Sequence, residues 1–136
     1  MKIKIYYHHT DCGGVVYYAN YLNFLEEART EFLEKKGVSI KKLRAEGTQF
    51  VVYRQEIEYK SPAFYADTLE INTALVKISA AKLEFEYIMK NQNKQIVCTA
   101  KTIMACLGLH FKPKPIPTEI IKKLSFDKVD ESKSVE

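Results

Sequence analysis

Residues 20–36 read NYLNFLEEARTEFLEKK, and the spacing of the apolar side chains in this stretch decides the fold class. Tyr21, Leu22, Leu25, Ala28, Phe32 and Leu33 recur at helical intervals, while Glu26, Glu27, Arg29 and Glu34 take the other positions. Gly37 stands where a left-handed residue would end the helix. The spacing predicts a helix from about Asn20 to Lys36, the only long one in the chain, followed by a short helical piece from Ile40 to Glu46 before Gly47.

Outward from that helix the apolar period falls to that of strands. On the N-terminal side Lys2 to Tyr7 alternates, with Ile3, Ile5 and Tyr7 on one side. On the C-terminal side Val51, Tyr53, Ile57 and Tyr59 alternate with Arg54, Glu56 and Glu58, and Leu69, Ile71 and Thr73 alternate with Glu70 and Asn72. Ala81, Leu83, Phe85, Tyr87 and Met89 alternate with Lys82, Glu84, Glu86 and Lys90. Asn91 to Lys94 (NQNK) has the composition of a hairpin turn, after which Ile96 to Leu109 returns as the last strand. The prolines of KPKPIPTEI (Lys112 to Ile120) end the sheet, and Thr118 is placed to cap a short helix over Glu119 to Leu124. The order is a strand, one long helix, then four longer strands, with connections short enough for antiparallel neighbours. It predicts an α+β fold, a twisted antiparallel five-stranded sheet packed on a single helix.

A chain of 136 residues with 46% hydrophobic residues is about one domain's worth, so one core must carry every functional group. We expect one domain over residues 1–126 and a polar, frayed tail over 127–136. No apolar run reaches the roughly 18 residues of a membrane span, and MKIKIYYHH lacks the apolar core of a secretory signal. Cys12, Cys98 and Cys106 form no C-x-x-C pair and suit free thiols in a reducing compartment, which points to the cytoplasm. The formal charge of +4 comes from lysines spread along the chain, with no block of like charges to track nucleic acid. It would still steer a small polyanionic ligand.

The stretch ahead of the helix, HHTDCGGVVYYANY (residues 8–21), concentrates reactive side chains. His8 and His9 on an extended segment would point to opposite faces, so three protein ligands for a metal are hard to assemble. Cys12 has no base obviously within reach, and Gly13-Gly14 lacks the spacing of a nucleotide loop. There remains Asp11, held by a glycine turn just before a helix N-terminus whose unpaired N–H groups favour an oxyanion. Carboxylate plus oxyanion hole suggests acyl transfer. The residues alone are equally compatible with Asp11 simply capping a turn.

The run IYYHHTDCGGVVYYANYLNFLEEARTEFL (Ile5 to Leu33) resembles the signature of acyl-CoA thioesterases of the 4-hydroxybenzoyl-CoA thioesterase type, in particular their YbgC-like branch. Thr10-Asp11, Gly14-Val15-Val16, Asn20-Tyr21 and Glu27-Ala28-Arg29 carry the likeness, with SPAFYADTLEINT (Ser61 to Thr73) and KPKPIP (Lys112 to Pro117) further along. The resemblance implies a hotdog fold, the sheet wrapped around the central helix, and hydrolysis of an acyl-CoA thioester without metal or organic cofactor. It implies Asp11 as nucleophile or general base and the backbone N–H of Tyr18 as oxyanion donor; Tyr18 stands where the YbgC-like branch usually has histidine. It also implies a homodimer or homotetramer with CoA along a subunit interface, its phosphates near Lys77, Ser79 and Lys82. The rival reading is a non-catalytic hotdog protein that binds acyl-CoA or acyl-carrier protein. A hydratase would want a histidine near Tyr18.

Overall fold

The computed structural model describes residues 1–126 in ten segments of regular structure; the predicted tail, 127–136, lies outside the described residues. The long helix, α1 (Asn20–Lys35), directs Tyr21, Phe24, Leu25, Ala28 and Leu33 into the core. It ends because Gly37 adopts φ +81°, which lets the chain reverse and Val38 N–H return to Leu33 C=O at 2.9 Å. Helix α2 (Ile40–Ala45) follows, capped by the Ser39 hydroxyl accepting from Lys42 N–H.

Five strands form one sheet, β1 (Lys2–Lys4), β2 (Gln49–Tyr59), β3 (Thr68–Ile78), β4 (Lys82–Lys90) and β5 (Ile96–Leu107), in the order β1-β3-β4-β5-β2 with every pairing antiparallel. The short-connection expectation holds for β3–β4 and β4–β5 but not for β2–β3. Strand β2 pairs with β5 at one edge, and residues 60–67 carry the chain across to the other side of the sheet. That crossover passes beneath the start of α1 and contributes the fully buried Ala63.

The alternation expected around β4 is observed within the strand, where Leu83, Phe85, Tyr87 and Met89 are buried and their neighbours are not, while Ala81 precedes the strand and is only half-buried. In β2 the expectation of one face for Val51, Tyr53, Ile57 and Tyr59 is corrected. A bulge between Val52 and Arg54 shifts the register, so Phe50 and Val52 oppose the inward Cys106 and Met104, whereas Gln55, Ile57 and Tyr59 oppose the inward Thr102, Ala100 and Cys98. Val51 and Ile57 therefore lie on opposite faces, and Tyr53 is exposed under the Lys82 ammonium at 3.8 Å from its ring centroid.

Three further assignments change. Strand β1 stops at Lys4 and a 3-10 turn takes Tyr7–His9, which leaves Tyr7 80% exposed instead of facing the core with Ile5. On α1, Leu22 is exposed and Arg29 is buried, because the enclosing sheet covers a wider arc of helix than a surface helix would offer. Arg29 and Thr102 face the buried Tyr87 hydroxyl; burial raises that phenol's pKa and both polar neighbours pull against it. At the C-terminus, helix α3 (Thr118–Phe126) starts with Ile120 and Ile121 N–H bonding to Pro117 C=O, and buries Ile120 and Leu124 beside Ile116.

The core joins α1 to β4 through an edge-to-face contact of Phe32 with Phe85 at 5.8 Å, and to β2 through Tyr21 with Tyr59 at 5.3 Å. Leu25 lies between them with no exposed surface. Replacing it by alanine should cost about 2 to 5 kcal/mol of stability, the range for emptying a packed core site. Urea unfolding should show a lower midpoint with an unchanged slope.

Candidate active site

The loop between β1 and α1 folds as a tight hairpin. Thr10 bridges Val16, Asp11 N–H donates to Val15 C=O at 2.9 Å, and Gly14 N–H donates to Asp11 C=O at 3.1 Å. Gly14 adopts φ +82° with nothing within 4 Å of a would-be Cβ, so its requirement is conformational and not steric. One carboxylate oxygen of Asp11, Oδ1, accepts from Gly13 N–H at 2.8 Å. The other makes no hydrogen bond among the described residues, and the side chain is exposed. Asp11 thus caps its turn with one oxygen and keeps the other available for chemistry.

After the hairpin the chain is fastened twice. Val16 N–H donates to Ala63 C=O at 2.8 Å, and Tyr17 N–H donates to His9 C=O at 2.9 Å, an oxygen that also accepts the Asn20 side-chain amide at 2.8 Å. Tyr18 comes next. Its C=O accepts the Tyr59 hydroxyl at 3.2 Å, but its N–H has no partner among the described residues and lies two residues before α1 begins. The arrangement leaves a backbone donor at the positive end of a helix dipole, on the same loop as Asp11.

An open groove of about 320 Å³ runs past this donor, lined by Val15, Val16, Tyr18, Tyr21, Tyr59 and Pro62 among others. Burial pushes the Tyr21 phenol up to about 12 and raises that of Tyr59, so these two are neutral. Tyr17 is also held above the ordinary range, first by hydrogen bonding to the neighbouring Tyr18 phenol, then by electrostatic coupling to that phenol and by desolvation, and last by the negative charge of Asp11. Of the thiols, Cys12 is exposed beside Asp11, whereas burial pushes Cys98 up to about 12 and raises Cys106, so neither buried thiol is a nucleophile.

His8 and His9 depart from the expected opposite faces. The 3-10 turn sets their rings side by side at a centroid separation of 4.1 Å, tilted by 38°, and both line a polar cleft of about 360 Å³ with Asn20, Asn23, Phe24 and Glu27. His9 Nδ1 accepts Tyr6 N–H at 2.9 Å, so the neutral ring carries its proton on Nε2. Among the described residues no three His, Cys, Asp or Glu side chains converge as metal ligands. This cleft went unread in the sequence, although Asn20, Asn23 and Glu27 recur at helical spacing and mark a polar stripe.

Lys77, Ser79 and Lys82 do flank the β3–β4 hairpin. Lys77 pairs with Glu84 at 3.7 Å, Ser79 N–H donates to Lys82 C=O at 2.9 Å, and Lys82 covers Tyr53. The Asp11 loop is fastened to residues 63–64, before β3 begins, and Lys77 and Ser79 stand at that strand's other end. An eleven-residue strand is about 35 Å long, so one chain does not bring the two groups together.

A family model described as the Thioesterase-like superfamily matches residues 7–124. The chain belongs to this superfamily. The acyl-CoA thioester hydrolase YbgC of Escherichia coli is 37% identical over 120 residues, covering 88% of this chain and 90% of that protein. Among solved structures, a protein of Aquifex aeolicus superposes with a TM-score of 0.86 at 32% identity, over 91% of this chain and 97% of that one. The DHNA-CoA thioesterase of Staphylococcus aureus superposes with a TM-score of 0.87 at 25% identity, over 96% and 92%. The architecture expected from the sequence, a hotdog fold, is the observed one, and the chain is a thioesterase of that fold.

Because burial and the adjacent His8 both lower the His9 pKa while Glu27 raises it, His9 should titrate below the ordinary value of about 6.5. NMR titration should show that midpoint move up in His8→Gln and further down in Glu27→Gln. A group depressed in this way supports the fold fully above its unfolded pKa, and that support is lost as the pH falls through the folded value.

Proposed function

We propose that the chain hydrolyses acyl-CoA thioesters to free acid and CoA, with Asp11 as the catalytic carboxylate and Tyr18 N–H as the oxyanion donor. The observation that carries this reading is the free Tyr18 N–H at the start of α1, on the loop that also holds Asp11 with one oxygen unengaged. The thioester oxygen accepts Tyr18 N–H, and the acyl portion lies in the groove beside Tyr21 and Tyr59. As the carbonyl carbon becomes tetrahedral, the charge on its oxygen grows against a fixed donor. Asp11 then serves in one of two ways. It takes a proton from the attacking water, or it attacks the carbon itself and expels CoA thiolate, leaving an anhydride for water to cleave. Both routes use groups of this loop and call on no metal or organic cofactor.

The same reading assigns the chain to a homodimer, or a homotetramer of such dimers, in the cytoplasm. Strand β2 supports the assembly: it is eleven residues long, is bonded among the described residues on one side only, to β5, and exposes Val52, Tyr53 and Tyr59. A second copy covering that edge would bring a partner chain toward the groove. The distance between Asp11 and the β3–β4 hairpin is consistent with CoA phosphates meeting Lys77, Ser79 and Lys82 of a different subunit from the one that cuts the thioester. Acyl-carrier protein is the alternative donor of the same thioester.

Asp11→Asn should lower hydrolysis by at least ~100-fold with acyl-CoA binding retained, since general-base assistance alone is worth about 10² to 10⁴ in rate. Activity close to wild type in thiol-release assays across aliphatic and aromatic acyl-CoAs would assign the chemistry to another group, and no thiol release by the wild type itself would leave a binding protein. Tyr18→Phe keeps the backbone donor and should stay within about tenfold, while Tyr18→Pro removes it and should cost about 10² to 10³ in kcat. Tyr18 precedes α1 and its N–H bonds nothing among the described residues, so proline there breaks no backbone hydrogen bond and circular dichroism should show that variant folded. Cys12→Ala and EDTA should both leave turnover intact, and sedimentation should show a dimer or larger.

A further inference from the structure

The chain leaves β5 through a turn that is unusual in both backbone and surface. Leu107 bridges Pro113 and Gly108 N–H bonds to Lys112 C=O at 2.8 Å, so residues 108–112 form a closed hairpin loop. Within it His110 and Phe111 both have positive φ, 60° and 57°, a left-handed pair in which asparagine or glycine is the ordinary choice. Two of the turn's three exposed side chains are apolar, Leu109 at 73% and Phe111 at 69% exposure, with His110 between them. A turn needing only to connect elements would carry neither the strain nor the exposed side chains.

The surroundings of the turn are basic. Leu109 packs over Gly47, 3.7 Å from where a Cβ would stand, at the end of α2, whose Lys41, Lys42 and Arg44 are exposed. Lys112 is exposed on the turn itself, and Lys114 reaches the Thr48 hydroxyl beside Gly47. Against these five cations the same segments, 40–48 and 108–114, hold a single acid, Glu46. Lysines dispersed in the sequence are gathered by the fold around an apolar tip.

We propose that the Leu109–Phe111 turn is a membrane-docking tip, which seats Leu109 and Phe111 among lipid acyl chains while the surrounding lysines and arginine lie against anionic headgroups. Two features favour a bilayer over a protein. A convex tip of two neighbouring apolar side chains needs a matching pocket in a protein partner, whereas a bilayer takes it without one. A symmetric contact with a second copy would set this basic collar against itself. The anionic surface answers both the apolar tip and the charge. This docking is separate from thioester hydrolysis and uses none of the residues assigned to it.

The full chain should float with vesicles of equal parts phosphatidylglycerol and phosphatidylcholine, remain behind with phosphatidylcholine alone, and be released as salt rises. The double variant Leu109→Ser with Phe111→Ser should lose at least about tenfold in vesicle partitioning while keeping wild-type hydrolysis of a water-soluble acyl-CoA. The chain has no tryptophan, so Phe111→Trp supplies a single reporter whose emission should shift to the blue with the anionic vesicles only. That readout does not depend on how the serine variant folds. Failure of the wild type to bind anionic vesicles, or an unshifted emission from the Phe111→Trp variant in their presence, overturns the proposal. An oligomer that dissociates in the serine variant, without vesicle binding by wild type, assigns the tip to a second copy. Saturable binding of a soluble acidic protein in place of vesicles assigns it to a protein partner.

Discussion

Two consecutive backbone donors, Val16 N–H to Ala63 and Tyr17 N–H to His9, fasten the chain before α1, and the site depends on where they stop. Every helix begins with N–H groups that have no intrahelical acceptor, and most proteins cap them. Here the residue preceding Asn20 is an alanine with no side-chain cap, and the neighbouring Tyr18 N–H is unsatisfied among the described residues. Tyr18 is exposed, so water or an incoming oxygen atom can take this donor at the positive end of the helix dipole. An open donor at the helix start, on the same loop as an exposed carboxylate, is the feature on which the proposed oxyanion role rests.

That fastening depends in turn on the crossover. Residues 60–67 supply Ala63 C=O to Val16, and Asp67 stiffens the segment by accepting Phe64 N–H at 2.9 Å and the Gln92 amide at 3.0 Å. Had β2 and β3 been neighbours, as the short connections in the sequence suggested, a simple turn would join them and nothing would lie under the head of α1. The non-local pairing of β2 with β5 is therefore what brings the Ala63 carbonyl to the site loop.

Element positions were legible where one periodicity ruled a whole segment, as in β4 and α1. They were not where a local device broke it. The bulge at Tyr53 inserts one residue and exchanges the faces of β2, which alternation alone cannot reveal because both halves still alternate. Arg29 read as solvated because its charge dominates any hydrophobicity scale, yet its long apolar stem allows burial when a sheet encloses the helix. At the site, Asp11 and the glycine turn stood out because short-range chemistry determines them: Gly13 N–H and the positive φ of Gly14 follow from residues within three positions. The polar cleft of His9 and Glu27 did not, since it exists only after a 3-10 turn stacks the histidines against the helix.

Strand β2 also sets the spacing of the molecule's surfaces. Gln49, at one end, pairs with Leu107 immediately before the strained turn, and Tyr59, at the other, hydrogen-bonds the Tyr18 carbonyl. Eleven extended residues separate them, about 35 Å. The apolar tip and the candidate active site thus lie at opposite ends of one edge strand. Separation of this kind lets one end of the strand carry backbone strain and exposed apolar area away from the loop of Asp11 and Tyr18, to which the proposed chemistry is assigned.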